Sequence, residues 1–427
     1  MKTRNLILMA ALAAAGLTSI TGTLMVPAVA VAAEAKKDTP KIGAKIAKPL
    51  RAAQEAIQAK NWDAATASLA EAAAVEPKSP YEAFMVDELG WFVQIQKKDY
   101  AGALKSLKAA VDSGFVPEAD LPRRYKAMAQ LSYELKDNAK AIEYGKKSLE
   151  LDPGSADTAT MVAHAMYLSD DFAGARAFVD ARLATTTKPD EQLLLIGLRS
   201  NYELNDRAGT MRALEALVRN YPAPKYWTDL LNNQLYETKS DRDLRALYRL
   251  MSDVNTMSKP EEYSEMATTL MAGGFPSEAK QVLERGLAAN VFKGDVQARA
   301  QADLARARSG ADADQKELPG ADAALAAAKS GNEMVALGKL FFSVGDYAKA
   351  EDAFKKGLAK GGVSDTDDAN ALLGIALSRS GKGADAIEAF NRIRDPKLGE
   401  VAKLWKLFIE TQAQPAAAPA PAPTPAG

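Results

Sequence analysis

The chain has 427 residues, of which 47% are hydrophobic and 26% are charged, an ordinary composition for a globular protein. Its formal net charge of −1 argues against nucleic-acid binding, which needs a concentrated basic surface. It has no Cys and one His, so disulfides, thiolate metal sites and cysteine nucleophiles are excluded, and we expect no metal or cofactor.

The N-terminus has the features of a secretory signal peptide. Lys2 and Arg4 give it a positive start, and an apolar run follows over residues 6–17. Small-x-small cleavage sites then occur within residues 28–32. We therefore expect a signal peptide over residues 1–33, export to the periplasm of a Gram-negative bacterium, and no stable membrane span after cleavage. An uncleaved membrane anchor is the alternative.

Helix–turn–helix repeats fill most of the chain that follows. Residues 34–45 read as a flexible basic lead-in, and residues 46–292 as an array of repeats of about 34 residues each. In the second helix of each repeat, small residues such as Ala65 and Ala141 alternate with larger apolar ones. Small side chains let paired helices approach to about 8–10 Å. The pattern predicts an all-α solenoid.

The C-terminal third has a different organisation. We predict that residues 293–330 form an irregular helical connector, with a helix over 296–308, a turn-rich stretch after it and an internal boundary of the chain there. Residues 331–412 read as two further repeats and an amphipathic capping helix. Residues 413–427 are rich in Pro and Ala, a composition typical of a disordered, extended tail.

The clearest repeat resembles the tetratricopeptide repeat family. Its large, small and aromatic residues fall at the family's places, namely Leu337, Gly338, Phe341, Gly345, Asp346, Tyr347, Ala350 and Phe354. The resemblance extends over about residues 46–290 and 331–396 and is weakest near 191–258. It implies a right-handed solenoid whose concave face is built from the first helix of each pair. It also implies binding of peptides or proteins, without catalysis.

One row of residues is the candidate binding site. Tyr133, Tyr167, Tyr202 and Tyr236 recur at separations of 34, 35 and 34 residues, each near the end of a predicted first helix. Tyrosine combines an apolar ring with a polar tip and is favoured at binding surfaces. The alternative is that these rings pack between repeats. Further candidate contacts on the same helices are His164, Arg123, Lys126, Gln130, Arg199 and Asn233.

The sequence thus favours a periplasmic scaffold or adaptor that binds a protein or peptide partner in a cell-envelope complex. The alternative is a solenoid that binds a glycan or small ligand through a concave strip of tyrosines. Sugar stacking needs exposed ring faces, whereas packing needs buried ones. We expect no enzymatic activity, because no acid, base and nucleophile occur in a recognisable pattern.

Overall fold

The computed structural model describes residues 41–413, and every regular element in that range is a helix, which confirms the all-α prediction. The chain divides into two units, one ending at Ala165 and the other beginning at Met166. Each unit has its own hydrophobic core. The predicted signal peptide, residues 34–40 of the lead-in and residues 414–427 of the tail lie outside the described residues.

The first unit consists of consecutive helix pairs. Its helices are α1 (Ala44–Gln58), α2 (Trp62–Ala74), α3 (Pro80–Gln96), α4 (Tyr100–Asp112), α5 (Leu121–Glu134) and α6 (Asn138–Leu151), with a short 3₁₀ turn at Glu118–Asp120. The division between the units falls inside α7 (Ala156–Leu168).

The second unit continues the pairs, but one long helix interrupts them. The paired helices before it are α8 (Phe172–Leu183), α9 (Glu191–Glu203), α10 (Arg207–Asn220), α11 (Pro224–Glu237), α12 (Asp241–Asp253), α13 (Pro260–Ala272) and α14 (Pro276–Ala288). The long helix and those that follow are α15 (Asp295–Ala327), α16 (Gly331–Ser343), α17 (Tyr347–Lys360), α18 (Thr366–Arg379), α19 (Gly383–Asn391) and α20 (Pro396–Gln412).

Turn chemistry explains why the pairs recur so regularly. Between α3 and α4, Lys98 has a φ of +60°, and the next residue, Asp99, accepts a hydrogen bond from the Gly102 amide at 2.9 Å. Such a cap stabilises a helix by roughly 0.5–2 kcal/mol. The same pair of a positive-φ residue and an Asn or Asp cap recurs at Lys60–Asn61, Lys136–Asp137, Asp170–Asp171, Asn205–Asp206 and Gly345–Asp346.

Most second helices carry a buried alanine four residues after their N-cap. In seven second helices this alanine has no exposed surface, at Ala65, Ala103, Ala141, Ala175, Ala279, Ala350 and Ala386. Thr210 and Leu244 take its place in α10 and α12, the two second helices whose sequences depart most from the repeat pattern. The small residues that were predicted to pack between helices therefore occupy the same position in successive repeats.

We expect Ala350→Leu to lower the free energy of unfolding by about 1–3 kcal/mol, because added methylenes in a filled core force strain. Ala350 is fully buried between α16 and α17. Ala348→Leu, two residues earlier at an exposed position of the same helix, is the matched control. Urea unfolding followed by circular dichroism measures both, and equal curves for the two variants would contradict this register.

The turn-rich reading of residues 309–320 was wrong, because α15 runs through them without a break. Gly310 is a packing residue here, since a Cβ on it would lie 2.5 Å from the Cβ of Pro276 at the start of α14. Asp314 accepts hydrogen bonds from the hydroxyls of Ser277 and Ser343, at 2.9 and 3.0 Å. The division between the units also lies elsewhere, at Ala165 and Met166.

Helix α20 covers the last repeat, and it also returns to helices that come much earlier in the chain. Besides α18 and α19, it contacts α10 and α12. The indole of Trp405 is fully buried, and its Nε1 donates to the carbonyl oxygen of Ala246 in α12 at 2.9 Å. The ring of Phe408 lies 6.2 Å from that of Trp227 in α11. The second unit is therefore closed on itself by α20.

This closure explains why α12 departs from the repeat pattern. The helix carries three arginines, each with an acidic partner: Arg242 with Asp395 at the start of α20 at 3.0 Å, Arg245 with Asp368 of α18 at 3.8 Å and Arg249 with Glu278 of α14 at 2.7 Å. Buried charges need such partners. If α12 faced solvent, as the second helix of a repeat can, its arginines would not need these acidic partners.

Candidate binding surface

All four candidate tyrosines occupy the same structural position. Tyr133, Tyr167, Tyr202 and Tyr236 are each the penultimate residue of the first helix of a pair, in α5, α7, α9 and α11. The sequence placed them near the ends of these helices, and the helix bounds agree. Tyr133 lies in the first unit and the other three in the second.

In the first unit, Tyr133 forms a close pair with His164. Its hydroxyl lies 2.6 Å from Nδ1 of His164, and the two ring centres are 5.9 Å apart. Both side chains are half-buried, and burial raises the pKa of Tyr133, so its hydroxyl stays protonated. This pair joins α5 to α7 and shows a tyrosine that packs between neighbouring repeats.

The other candidate binding residues of the first unit lie at or near its surface. Arg123 is exposed and forms an ion pair with Asp120, and Lys126 pairs with Asp157 of α7. Gln130 is half-buried on α5. Exposed pairs of this kind contribute little to stability, about 0–1 kcal/mol each. They leave Arg123 and Lys126 able to exchange their partners for those of a bound protein.

In the second unit, the side chain of Tyr167 also contacts neighbouring side chains. Its ring lies 5.2 Å from that of Phe172, and its hydroxyl donates to Oε1 of Glu203 at 3.4 Å. Burial, followed by the charge of Glu203, raises the pKa of Tyr167. Arg199 stands close by on α9, where burial lowers the pKa of its guanidinium.

Tyr202 and Tyr236 are the tyrosines that expose ring surface. Tyr202 is 41% exposed and hydrogen-bonds to Asn233 of the next first helix. Tyr236 is 70% exposed, with the Arg207 guanidinium 4.9 Å and the Lys239 ammonium 5.2 Å from its ring centre. Cations over an aromatic face hold the ring in place while its remaining surface stays accessible.

A polar residue three positions before each tyrosine completes the pattern. These residues are Gln130, His164, Arg199 and Asn233. Since residues three apart lie on one helix face, each tyrosine shares a surface with one of them. The hydroxyls of Tyr133 and Tyr202 bond to this residue of the following repeat. These two hydrogen bonds each link one repeat to the next. The exposed tyrosines of the set, Tyr202 and Tyr236, both lie in the second unit.

An ionic cluster in the second unit, with Arg249 and Glu278 buried at its centre, was not anticipated from the sequence. Arg249, Glu278, Arg379 and Asp253 are joined by ion pairs of 2.7–3.4 Å. Asp253, Glu278 and Arg379 line a cavity of about 1510 Å³, and Arg249 supports Glu278 from behind the lining. The available signal was an arginine at a core spacing in α12, where Arg249 follows the apolar residues Ala246, Leu247 and Tyr248.

Two further features are absent from residues 41–413. No group of three or more His, Cys, Asp or Glu side chains there is arranged to hold a metal ion. Within the same residues, no helix has the length and apolar character needed to cross a membrane.

Comparison with solved structures finds helical repeat proteins at low identity. One is titled "Structure of Naa15/Naa10 bound to HypK-THB" and is 14% identical, with a TM-score of 0.38. The match covers 84% of this chain and 66% of that one. A tetratricopeptide repeat protein from Parabacteroides merdae is 14% identical over 78% of this chain and 100% of that one, with a TM-score of 0.32. The C-terminal part of such a protein from Cytophaga hutchinsonii is 13% identical over 76% and 99%, with a TM-score of 0.32.

No curated protein matches the chain. A family model described as tetratricopeptide repeat matches residues 94–156 and 335–398. The first segment contains α4 to α6, and the second contains most of α16 and the whole of α17 to α19. Both include the capped turns and buried alanines described above, so the sequence match and the geometry agree. Residues 94–156 of the first unit and residues 335–398 of the second are therefore matched by the tetratricopeptide repeat model, and both lie within an all-helical array of helix–turn–helix pairs.

Proposed function

We propose that this chain is an exported scaffold of the cell envelope that binds a protein or peptide partner through the tyrosines of its second unit. Tetratricopeptide repeats are typical of protein-interaction scaffolds. The observation that carries the choice of surface is the exposure of Tyr202 and Tyr236, 41% and 70%, at equivalent positions of α9 and α11. Tyrosine is enriched among the residues that carry most of the binding energy at protein interfaces.

The polar groups around these rings suit a peptide. Arg199, Asn233 and Arg207 lie within one helical turn of the two tyrosines or against their rings, and Glu237 pairs with Arg207 at 2.7 Å. A peptide backbone can use the amide of Asn233 and the guanidinium of Arg207, and its apolar side chains can cover the rings. Such mixed surfaces, with aromatic anchors and a polar rim, are common at protein interfaces.

We expect Tyr236→Ala to weaken partner binding by more than about 1 kcal/mol, as loss of an aromatic anchor does. Its stability should change by less than about 0.5 kcal/mol, because the side chain is exposed. The partner is first captured with the full chain from an envelope extract and identified, and its affinity is then measured by calorimetry. Leu151→Ala, an exposed apolar residue of the first unit, is the control and should bind normally. Unchanged affinity of Tyr236→Ala would move the binding surface elsewhere.

Export is supported by the residues at the N-terminus, from Lys2 and Arg4 to the small-x-small sites near Ala30. We expect the mature protein to begin between about Ala30 and Ala33. N-terminal sequencing of the protein from a periplasmic fraction measures this. A protein that begins at Met1 and sediments with membranes would contradict the proposal of a cleaved signal peptide.

Binding of a glycan or small ligand is the second candidate, favoured by the exposed ring of Tyr236. The cations of Arg207 and Lys239 stand against that ring, at 4.9 and 5.2 Å, where a stacked sugar would compete with them. Titration with envelope oligosaccharides separates the two functions. Saturable binding that is lost in Tyr236→Ala and kept in Tyr236→Phe would support the glycan.

A further inference from the structure

A large cavity opens within the second unit, and none of its lining residues belongs to the helices that carry the four candidate tyrosines. It lies among the ends of α12 and α20, one side of α14, and the turns that join α16 to α17 and α18 to α19. Its volume of about 1510 Å³ exceeds the roughly 300–1,000 Å³ of typical small-molecule pockets. The space therefore suits an oligomeric ligand of several units.

The floor of the cavity, formed by Asp253, Glu278 and Arg379, carries charges that are paired within the unit. Arg379 donates to both carboxylate oxygens of Asp253 at 3.0 Å, and to one oxygen of Glu278 at 3.4 Å. Glu278 also accepts hydrogen bonds from two nitrogens of Arg249, at 2.7–3.0 Å. Two arginines and two carboxylates thus neutralise one another.

The other charged residues of the lining are paired or solvated. Glu284 pairs with Arg308 at 3.0 Å, and Glu410 pairs with Arg219. Arg285 is exposed, so water solvates its charge. A charged ligand would have to break these pairs or carry its own charge into the cavity without a partner, which is costly. The electrostatics therefore favour an uncharged ligand.

The paired charges of the floor can still form hydrogen bonds with a ligand. A carboxylate has about four lone-pair sites, and Arg379 occupies one on each oxygen of Asp253. The side chains of Asp253 and Arg379 are 20% and 16% exposed, so a ligand in the cavity can reach them. The hydroxyl of Tyr347 accepts from Arg379 at 2.9 Å and can donate its own proton, and the exposed amide of Gln281 offers a donor and an acceptor. Hydroxyl groups of a ligand match this lining, because they donate and accept without adding charge, and their bonds to charged groups are strong.

Another part of the lining is apolar. It is formed by Ile387 of α19 and by Phe408 and Ile409 of α20, all of them half-buried. Covering such surface stabilises a complex by roughly 25 cal/mol per Å² of apolar area. A pyranose ring combines the two characters that the lining requires, because its C–H groups form apolar faces and its hydroxyls surround them. Apolar side chains of a peptide would instead cover the charged floor without replacing its hydrogen bonds to water, which is costly.

We propose that this cavity binds a neutral oligosaccharide, at a site separate from the protein-binding surface around Tyr236. Three observations combine in this assignment: the charges of the lining are balanced, its polar groups keep free hydrogen-bonding capacity, and an apolar surface lies in the same cavity. The sugar rings cover Phe408, and their hydroxyls bond to Asp253, Tyr347 and Gln281. A chain that holds a glycan here and a protein partner at its tyrosines joins the two.

Calorimetric titration of the full chain with two neutral probes, cellohexaose and hexa-N-acetylchitohexaose, tests this proposal. We expect saturable binding of at least one probe, with a Kd of about 1 mM or tighter. Tyr347→Phe removes only a hydroxyl, and Gln281→Ala removes only an exposed amide. Each variant should weaken this binding at least about threefold, as the loss of one hydrogen bond does. Circular dichroism checks that both variants keep their fold.

Two control variants make the result specific. Gln315→Ala, exposed on α15 and outside the cavity lining, should bind the probe as the native chain does. Tyr236→Ala should also bind it normally, whatever its effect on the protein partner, so failure of this proposal and failure of the proposed function are distinguishable.

Three outcomes would overturn the assignment. The first is that neither probe saturates the native chain. The second is loss of probe binding in Tyr236→Ala with unchanged binding in Tyr347→Phe and Gln281→Ala, which would place the glycan on the tyrosine surface. The third is tighter binding of a neutral nonapeptide of repeated Ala-Gln-Ser, weakened by the same two cavity variants, which would assign the cavity to a peptide.

Discussion

Glu278→Ala is expected to lower the free energy of unfolding of the second unit by about 3–5 kcal/mol, the usual cost of removing one partner from a buried ion cluster. Glu278 is buried in α14 and neutralises Arg249, whose side chain is only 2% exposed, and part of Arg379. Without this carboxylate, Arg249 keeps a buried positive charge against the rings of Phe275 and Phe342. Urea unfolding followed by circular dichroism measures the change.

The effect should depend on pH. Burial alone would raise the pKa of Glu278, but the charges of Arg249 and Arg379 outweigh it and hold that pKa below its usual value. The carboxylate therefore contributes its stability above the unfolded pKa of about 4.3 and loses it as the pH falls through the lower folded pKa. The difference between wild type and Glu278→Ala should be complete at neutral pH and narrow below about pH 4.

Glu284→Ala is the matched control on the same helix. Its ion pair with Arg308 is partly exposed, 40% and 57% for the two side chains, so its loss should cost no more than about 1 kcal/mol. A cost as small as that of this control at neutral pH would contradict a buried charge pair between Glu278 and Arg249.

Trp405→Ala should destabilise the second unit by about 3–5 kcal/mol, the usual cost of truncating a buried aromatic residue. The indole has no exposed surface, lies 6.0 Å from the ring of Phe390 and 5.9 Å from that of Phe408, and donates to Ala246. Removing it opens a cavity where α20 meets α12. Hydrogen exchange should then increase in both helices, although they are 159 residues apart at the Trp405–Ala246 contact.

Two variants separate packing from hydrogen bonding at this position. Trp405→Phe keeps most of the ring and loses the Nε1 donor, so it should cost less than the alanine variant, about 1–3 kcal/mol. Lys403→Ala lies two residues away on the exposed face of α20 and should change stability by less than about 0.5 kcal/mol. Faster exchange confined to α20, with α12 unchanged, would contradict the role of α20 in closing the unit.

The sequence alone determined the helix pairs, because their signals are local. The capped turn at Lys98–Asp99 and the fully buried alanine at Ala103 lie within a few residues of each other and recur in most repeats. Helix starts, turns and close approach between adjacent helices depend on such short-range chemistry. The same spacing placed each candidate tyrosine at the end of its helix.

Only the tertiary structure decided the features that join distant residues. Gly310 reads as a turn residue, but it lies inside the continuous helix α15, at a point where a Cβ would clash with Pro276. The exposure of Tyr236 and the burial of Tyr133 differ although both hold one repeat position, since exposure is set by what packs beside each ring. The return of Trp405 to Ala246 and the neutral floor around Glu278 have no repeat signal at all. Contacts across more than a hundred residues arise only once successive repeats have stacked and brought α20 back to α10 and α12.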